Sequence, residues 1–327
     1  MEQEKLEEKV REVFEREGFS FKNGKAVKPG LELEIGVYAS EKYDEGDIDF
    51  SMDKVFLDEG FDTEGDNVYI FEEEKEYDLP SFEMIGRVAL INDLAGRDRE
   101  SVVEGIIANS NAETILLKTG ELSGEYRVGE YEKLYGEETE TVHREHGHRL
   151  RVDPTKAYYS ERFSTERERV AAQVKEGEEV LVMFAGVGPF AILCAEKAEK
   201  VMAVEKNPKA CKYLRENIEL NKMQDKIQVF CGDVNEIVPD LDAQFDRVIM
   251  PLPEKALGFL GLAIDVCKKN GVVHLYGFAE DFNDFESRLE KNMRSRGYNY
   301  RVVDRRVCGD KSPSESRLCL DVKVKKE

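Results

Sequence analysis

The stretch that most restricts the fold of this chain is Glu179-Val-Leu-Val-Met-Phe-Ala-Gly-Val-Gly-Pro-Phe190. Val180 to Phe184 form an unbroken apolar run, the pattern of a strand buried on both faces. Ala185-Gly-Val-Gly188 reads as a tight turn, and Pro189 as the first residue of a helix carried on by Phe190, Ile192, Leu193 and Ala195. Proline suits that position because the N–H it lacks would be unpaired there. Strand, glycine turn and helix open a doubly wound α/β unit, in which backbone N–H groups approach a ligand at the carboxyl edge of the sheet.

Further units follow in order. A strand over Val201–Val204 ends on Glu205 and leads to a helix over Pro208–Leu220; a strand over Ile227–Phe230 ends on Cys231-Gly-Asp233. A strand over Arg247–Met250 ends on Pro251-Leu-Pro-Glu254, and a helix then runs to Lys268. A strand over Val272–Tyr276 and a helix over Asp281–Arg294 come next, and strands near Tyr300–Val307 and Arg317–Val324 close the chain. Alternating strand and helix predicts a mainly parallel sheet, and two closing strands without a long helix between them predict an antiparallel edge. Just upstream, Ser164 is placed to cap a helix with acids in its first turn.

The amino-terminal half reads as smaller α+β domains. Leu6, Val10 and Phe14 give a helical period over residues 3–18, and Leu31–Val37 and Val68–Phe71 read as strands. Glu72-Glu-Glu-Lys-Glu-Tyr-Asp78 reads as a solvated linker. Beyond it a strand over Phe82–Leu90, a helix over Glu100–Ala108 and a strand over Thr114–Leu117 are expected. The expected domains are therefore 1–77, 78–150 and 151–327.

The net charge of −21 is unevenly spread: residues 1–80 carry 10 basic and 25 acidic side chains, whereas residues 151–327 carry 30 of each. Strong acidity opposes nucleic-acid binding, so that argument applies to the amino-terminal half alone. The six cysteines all lie in the second half with no C-x-x-C spacing, and reduced thiols are expected. His143, His146 and His148 lie close together, but no cysteine or second histidine cluster completes a set, so no metal is expected. With no apolar run long enough to span a bilayer and no signal-peptide pattern, a cytoplasmic protein with no membrane partner is expected.

The strand ends carry the ligand chemistry. Glu205 follows Gly186 at about the 20-residue spacing at which an acid grips ribose hydroxyls. Asp233 is placed to accept from an adenine amino group. There is no third glycine at the fingerprint position, and Pro189 takes the slot that would open toward a pyrophosphate. An adenosine ligand without phosphates fits that turn better than a dinucleotide, and S-adenosylmethionine is the expected cofactor.

Met183-Phe-Ala-Gly-Val-Gly-Pro-Phe190 closely resembles the cofactor loop of the archaeal and eukaryotic tRNA (guanine-37-N1)-methyltransferase family. So do Ser164-Thr-Glu-Arg167, Glu205-Lys-Asn-Pro208, Asn217 with Asn221, and Ser123-Gly-Glu-Tyr-Arg127 followed by Glu140-Thr-Val-His143. The resemblance covers roughly residues 80–327. It implies a Rossmann-like class I methyltransferase sheet, tRNA as partner, and a methyl group placed on N1 of guanosine 37; the chain is expected to be a monomer. The same scaffold serves wyosine-pathway enzymes, which methylate a tricyclic intermediate or transfer an aminocarboxypropyl group; a non-catalytic tRNA-binding module is a third alternative.

The matching motifs imply Glu166 as base, Arg127 as the guanidinium at the base oxygen and Arg162 orienting Glu166. They place Arg167, Phe184, Gly186, Gly188, Glu205, Lys206, Asp233, Val234 and Pro251 at the cofactor, and Tyr158, Tyr159 and Pro253 at the acceptor base. The plain alternatives are a first-turn helix acid for Glu166, surface ion pairs for Arg127 and Arg162, and core packing for the tyrosines. The chain departs from the family at Val182, where Asp is usual, and at Pro251, where Asn often stands.

Overall fold

The computed structural model describes residues 77–120, 124, 126, 128–312 and 314–326, four strands between residues 20 and 73, and single positions 12, 15 and 18. The helix expected over residues 3–18 lies almost wholly outside these. The chain divides into two compact units. One comprises residues 1–81 and 93–113. It holds an antiparallel sheet of β1 (Ser20–Lys22), β2 (Lys25–Lys28), β3 (Leu31–Val37) and β4 (Val68–Glu73). Its helix α1 (Arg99–Asn109) is capped by Asp98, whose carboxylate accepts from the Ser101 amide.

The second unit, residues 82–92 and 114–327, carries the site. It opens with a sheet ordered β5 (Phe82–Ile85), β6 (Val88–Ile91), β7 (Thr114–Lys118) and β8 (Tyr131–Tyr135). The single strand expected over Phe82–Leu90 is instead a hairpin. Gly86 turns the chain at φ 58° and sits against Thr141 and Val142, where a Cβ would collide. A second hairpin pairs β9 (Thr141–Glu145) with β10 (His148–Val152).

The large sheet has seven strands: β11 (Glu179–Met183), β12 (Lys200–Glu205), β13 (Ile227–Cys231), β14 (Phe245–Met250), β15 (Cys267–Ala279), β16 (Asn299–Ser312) and β17 (Glu315–Lys325). Their order is β13-β12-β11-β14-β15-β17-β16, parallel through β15 and antiparallel at β17 and β16. This is the expected mainly parallel sheet with an antiparallel edge.

Both faces are covered, and the sequence of β11 shows why. Val180 and Val182 join one apolar cluster with Ile192 and Leu214, while Leu181 and Met183 join the other with Phe285 and Leu289. Val182 is fully buried at the centre of the sheet, so an uncharged branched side chain suits that position. The covering helices are α2 (Ser164–Ala172), α3 (Pro189–Cys194), α4 (Pro208–Leu220), α5 (Val234–Ile237), α6 (Ala256–Val266) and α7 (Phe282–Arg296).

Two expectations are corrected. Ser164 does not cap α2: a 3-10 turn over Glu161–Phe163 runs straight into the helix, the Ser164 amide donates to Glu161 O, and its hydroxyl lies 2.8 Å from His146 Nε2. The cysteines are not all reduced. Cys231 is paired in register with Glu205, and α4 returns over that edge. This brings Cys211 and Cys231 into a disulfide with a Cα–Cα distance of 6.0 Å. The other four cysteines are free thiols.

Candidate active site at the carboxyl edge of the large sheet

The turn after β11 needs its glycines. Phe184 takes a left-handed φ of 59°, Gly186 one of 58° and Gly188 one of 95°. At Gly188 a Cβ would run into Leu214, so only glycine lets the turn pack on α4. Phe184 adopts the same region with a bulky side chain, a strained conformation that accumulates at ligand sites. Its ring lies edge-on to Phe259, centroids 5.0 Å apart.

Glu205 at the end of β12 faces this turn. Its carboxylate accepts from the Gly186 amide and the Asn207 amide, both at 2.7 Å. Burial pushes its pKa up, against the amide hydrogen bonds that favour the charged form. A carboxylate has about four lone-pair sites, so room remains for hydroxyl donors. Lys206 and Asp233 meet each other at 2.8 Å. Asp233 also caps α5 by accepting from the Asn235 amide, and the Lys206 and Asn235 bonds hold its carboxyl below the usual range. Glu205, Lys206, Asp233, Val234, Pro251 and Phe259 line a cavity of about 300 Å³.

A smaller lobe of about 90 Å³ adjoins it, with Tyr158, Phe184, Gly186, Pro251, Pro253 and Arg317 lining both. Glu166 faces this lobe from the first turn of α2. Arg169 donates to both of its oxygens at 2.8 Å, and the Tyr276 hydroxyl donates to Oε1 at 2.6 Å. The carboxylate is thus fixed in direction, with one flank toward the lobe.

The segment over residues 158–163 contributes Tyr158, Tyr159, Ser160 and Phe163 to the lining and is tied down by two carboxylates. Glu83 of β5 accepts from the Ser160 hydroxyl at 2.7 Å and the Glu161 amide at 2.6 Å. Glu145 of β9 is buried and holds Arg167 through a two-pronged ion pair, with the Tyr159 hydroxyl donating to it at 2.7 Å. Tyr158 remains 40% exposed, so of the two tyrosines it has the open face.

Arg162 lies elsewhere than expected. Its Nε is 3.3 Å from Glu83 Oε2, because the 3-10 turn points it toward β5; Arg169, not Arg162, orients Glu166. Arg127 lies outside the described residues. The histidines are dispersed by the β9–β10 hairpin: His143 accepts from the Gly86 amide at 3.1 Å, His146 meets Ser164, and His148 lies 3.4 Å from Glu196. Among the described residues, His274, Cys319 and Asp321 present three metal-type ligand atoms within 4.8 Å. Arg169 and Arg247 already donate to that group, which disfavours a further cation.

Sequence reasoning missed Arg169, Tyr276, Asp321, Glu83, Glu145 and Arg317. Only the Glu166–Arg169 spacing carried a local signal, since residues three apart share a helix face.

Residues 141–303 match the family described as the TRM5/TYW2 methyltransferase domain. The tRNA (guanine(37)-N(1))-methyltransferase Trm5b of Pyrococcus abyssi is 39% identical over 251 residues, covering 75% of this chain and 74% of the relative. The chain belongs to the TRM5/TYW2 family. Another relative is the tRNA(Phe) (4-demethylwyosine(37)-C(7)) aminocarboxypropyltransferase of Methanocaldococcus jannaschii, 33% identical, covering 69% of this chain and 90% of that one. The crystal structure of M. jannaschii TYW2 in complex with AdoMet superposes with a TM-score of 0.59 at 27% identity, over 76% of this chain and all of that one. Among the described residues of this TRM5/TYW2 protein, no helix is long and apolar enough to cross a membrane.

Glu205→Ala is expected to weaken S-adenosylmethionine binding by about one or two charge-assisted hydrogen bonds, each roughly 1.5–3 kcal/mol. Calorimetric titration of parent and variant checks this; equal affinities would remove Glu205 from the ligand site.

Proposed function

We propose that this chain is an S-adenosylmethionine-dependent tRNA methyltransferase that methylates N1 of guanosine 37, beside the anticodon. The observation that carries the reading is Glu166, a carboxylate fixed by Arg169 and Tyr276 at the wall of a lobe that adjoins the glycine turn. N1 of guanine carries a proton at neutral pH, and its lone pair is delocalised into the ring amide. Methyl transfer to N1 therefore needs that proton removed while negative charge builds on O6. Glu166 receives the proton. The family resemblance assigns Arg127 to O6, where a guanidinium stabilises the developing charge.

The cofactor supplies an electrophilic methyl group. Glu205 holds its ribose hydroxyls and Asp233 its adenine amino group, with Phe184, Val234 and Pro251 walling the adenosine and Gly186 and Gly188 admitting the methionine portion. Lys206 holds Asp233 in place. Arg167 supports the site through Glu145 and Tyr159. Tyr158 stacks on the acceptor base, and Pro253 with Pro251 lines the base pocket through backbone carbonyls. Residues 78–150 are assigned to RNA binding and residues 1–77 to docking of the tRNA.

The test is incubation of the full chain with tRNA and methyl-labelled cofactor, followed by nuclease digestion and mass spectrometry. One methyl on guanosine 37 is expected. An added aminocarboxypropyl group, or modification of a wyosine intermediate alone, would redirect the reading to the other branch of the family. No modification at all would leave only tRNA binding.

A further inference from the structure

The cleft holds one guanidinium in an unusual state. Arg317 lies at the start of β17, in register opposite Phe278 of β15. Its guanidinium sits 3.7 Å from the centroid of Phe163 and 5.3 Å from that of Phe278. Its Nε is buried with no hydrogen-bond acceptor, and among the described residues no carboxylate meets the group. Two other cations of the cleft contrast with it: Arg167 is held by Glu145, and Lys206 by Asp233.

A buried donor without an acceptor costs free energy, and two phenyl rings hold the fork in a fixed plane. The side chain lines both lobes, so it stands where the adenosine cavity meets the base pocket. Phe163 immediately precedes α2, which presents Glu166, and Phe278 follows Tyr276 on β15. Burial pushes the Cys308 thiol up to about 12; the Glu166 carboxylate adds to this, and the Arg169 and Arg317 guanidinium groups act against it. Arg317 is thus a preset, uncompensated planar cation beside the reacting groups. A planar fork of this kind pairs two-pronged with a carboxylate or a phosphate.

We propose that Arg317 is the oxyanion-binding residue of this cleft, receiving a two-oxygen anionic group of the bound substrates. Two groups of that chemistry reach the junction in the proposed reaction: the backbone phosphate of the acceptor nucleotide and the carboxylate of the methyl donor. The inference rests on the methyltransferase reading. It differs from the role assigned to Arg127, which concerns a single exocyclic oxygen of the base.

Arg317→Gln and Arg317→Lys, each checked for a parental melting temperature, separate the possibilities. Binding of S-adenosylmethionine and of 5′-methylthioadenosine, which lacks the carboxylate, is measured by calorimetry; tRNA binding is measured over a salt series. If the carboxylate is the ligand, Arg317→Gln binds S-adenosylmethionine about ten- to a hundredfold more weakly and methylthioadenosine as the parent does. If the phosphate is the ligand, both adenosine compounds bind as before, tRNA binds more weakly, and the salt slope falls by about one. Arg317→Lys keeps the charge but not the fork and falls between parent and Gln in the affected arm. Parental values in every arm for Arg317→Gln overturn the proposal. Failure of the parent itself to bind the cofactor or methylate tRNA would instead overturn the methyltransferase reading.

Discussion

Replacing Glu166 by glutamine is expected to slow single-turnover methylation about 10²–10⁴-fold, the usual cost of losing a general base. Glutamine keeps the volume and one acceptor oxygen, so the Tyr276 hydroxyl or one Arg169 donor still has a partner. What is lost is the ability to take the proton from N1. Among the described residues Glu166 is the one carboxylate lining the smaller lobe, and two further carboxylates are less suited. Asp233 lines the larger cavity and is engaged by Lys206, while Glu254 is exposed. Cofactor affinity should be unchanged, because Glu205 and the glycine turn are untouched, and the pH profile of the rate should differ from the parent's. Rapid-quench assays across pH measure both quantities. A variant that methylates at the parental rate with the parental pH profile would move the base elsewhere.

The parts legible in the sequence are those set by local spacing. The glycine turn over residues 185–188, Glu205 and Asp233 each lie at the carboxyl end of a strand, and strand ends in a parallel sheet fall on one edge. Glu166 was legible through its motif. Its supports were not, because they come from distant strands: Tyr276 is 110 residues away, and Asp321 is 152 residues from Arg169. No periodicity reports a side-chain pair made across β15, β17 and α2. Arg162 was misassigned for a related reason. One helical turn from Glu166 assumed a continuous α-helix, whereas the 3-10 turn rotates that residue toward Glu83. The closing strands proved longer than expected because register shifts after Val302 and Val307 break the alternation of β16.

Asp321→Asn is expected to destabilise the protein by about 3–5 kcal/mol, the cost of breaking a buried ion pair from one side. Asp321 is 1% exposed and accepts from Arg169 Nη1 at 2.7 Å, from Gln173 at 3.0 Å and from His274 Nδ1 at 2.6 Å. His274 Nε2 lies 2.6 Å from Arg247 Nη1. A guanidinium only donates, so Nε2 is the acceptor and the proton sits on Nδ1. The imidazole is therefore neutral, and burial holds its pKa below the ordinary value. For Asp321, burial acts upward, but the bonds from His274, Arg169 and Gln173 outweigh it and hold the carboxyl far below the usual range. An asparagine would turn one of its oxygens into an N–H facing other donors.

The pH dependence follows from these directions. A depressed His274 means the unfolded chain binds more protons once pH falls below about 6.5, so the parent loses stability on acidification from there. Asp321 is also depressed; its contribution is complete above about pH 3.9 and is lost only as pH falls further. Asp321 also holds the His274 pKa up against burial, so its loss depresses His274 further; the gap between parent and Asp321→Asn should therefore hold or widen between pH 7 and pH 5 and should narrow only below about pH 4. Urea unfolding of both proteins over that range measures it. A gap under about 1 kcal/mol at pH 7, or one that closes between pH 7 and 5, would mean that the Arg169–Asp321 contact does not hold the α2 end of the site.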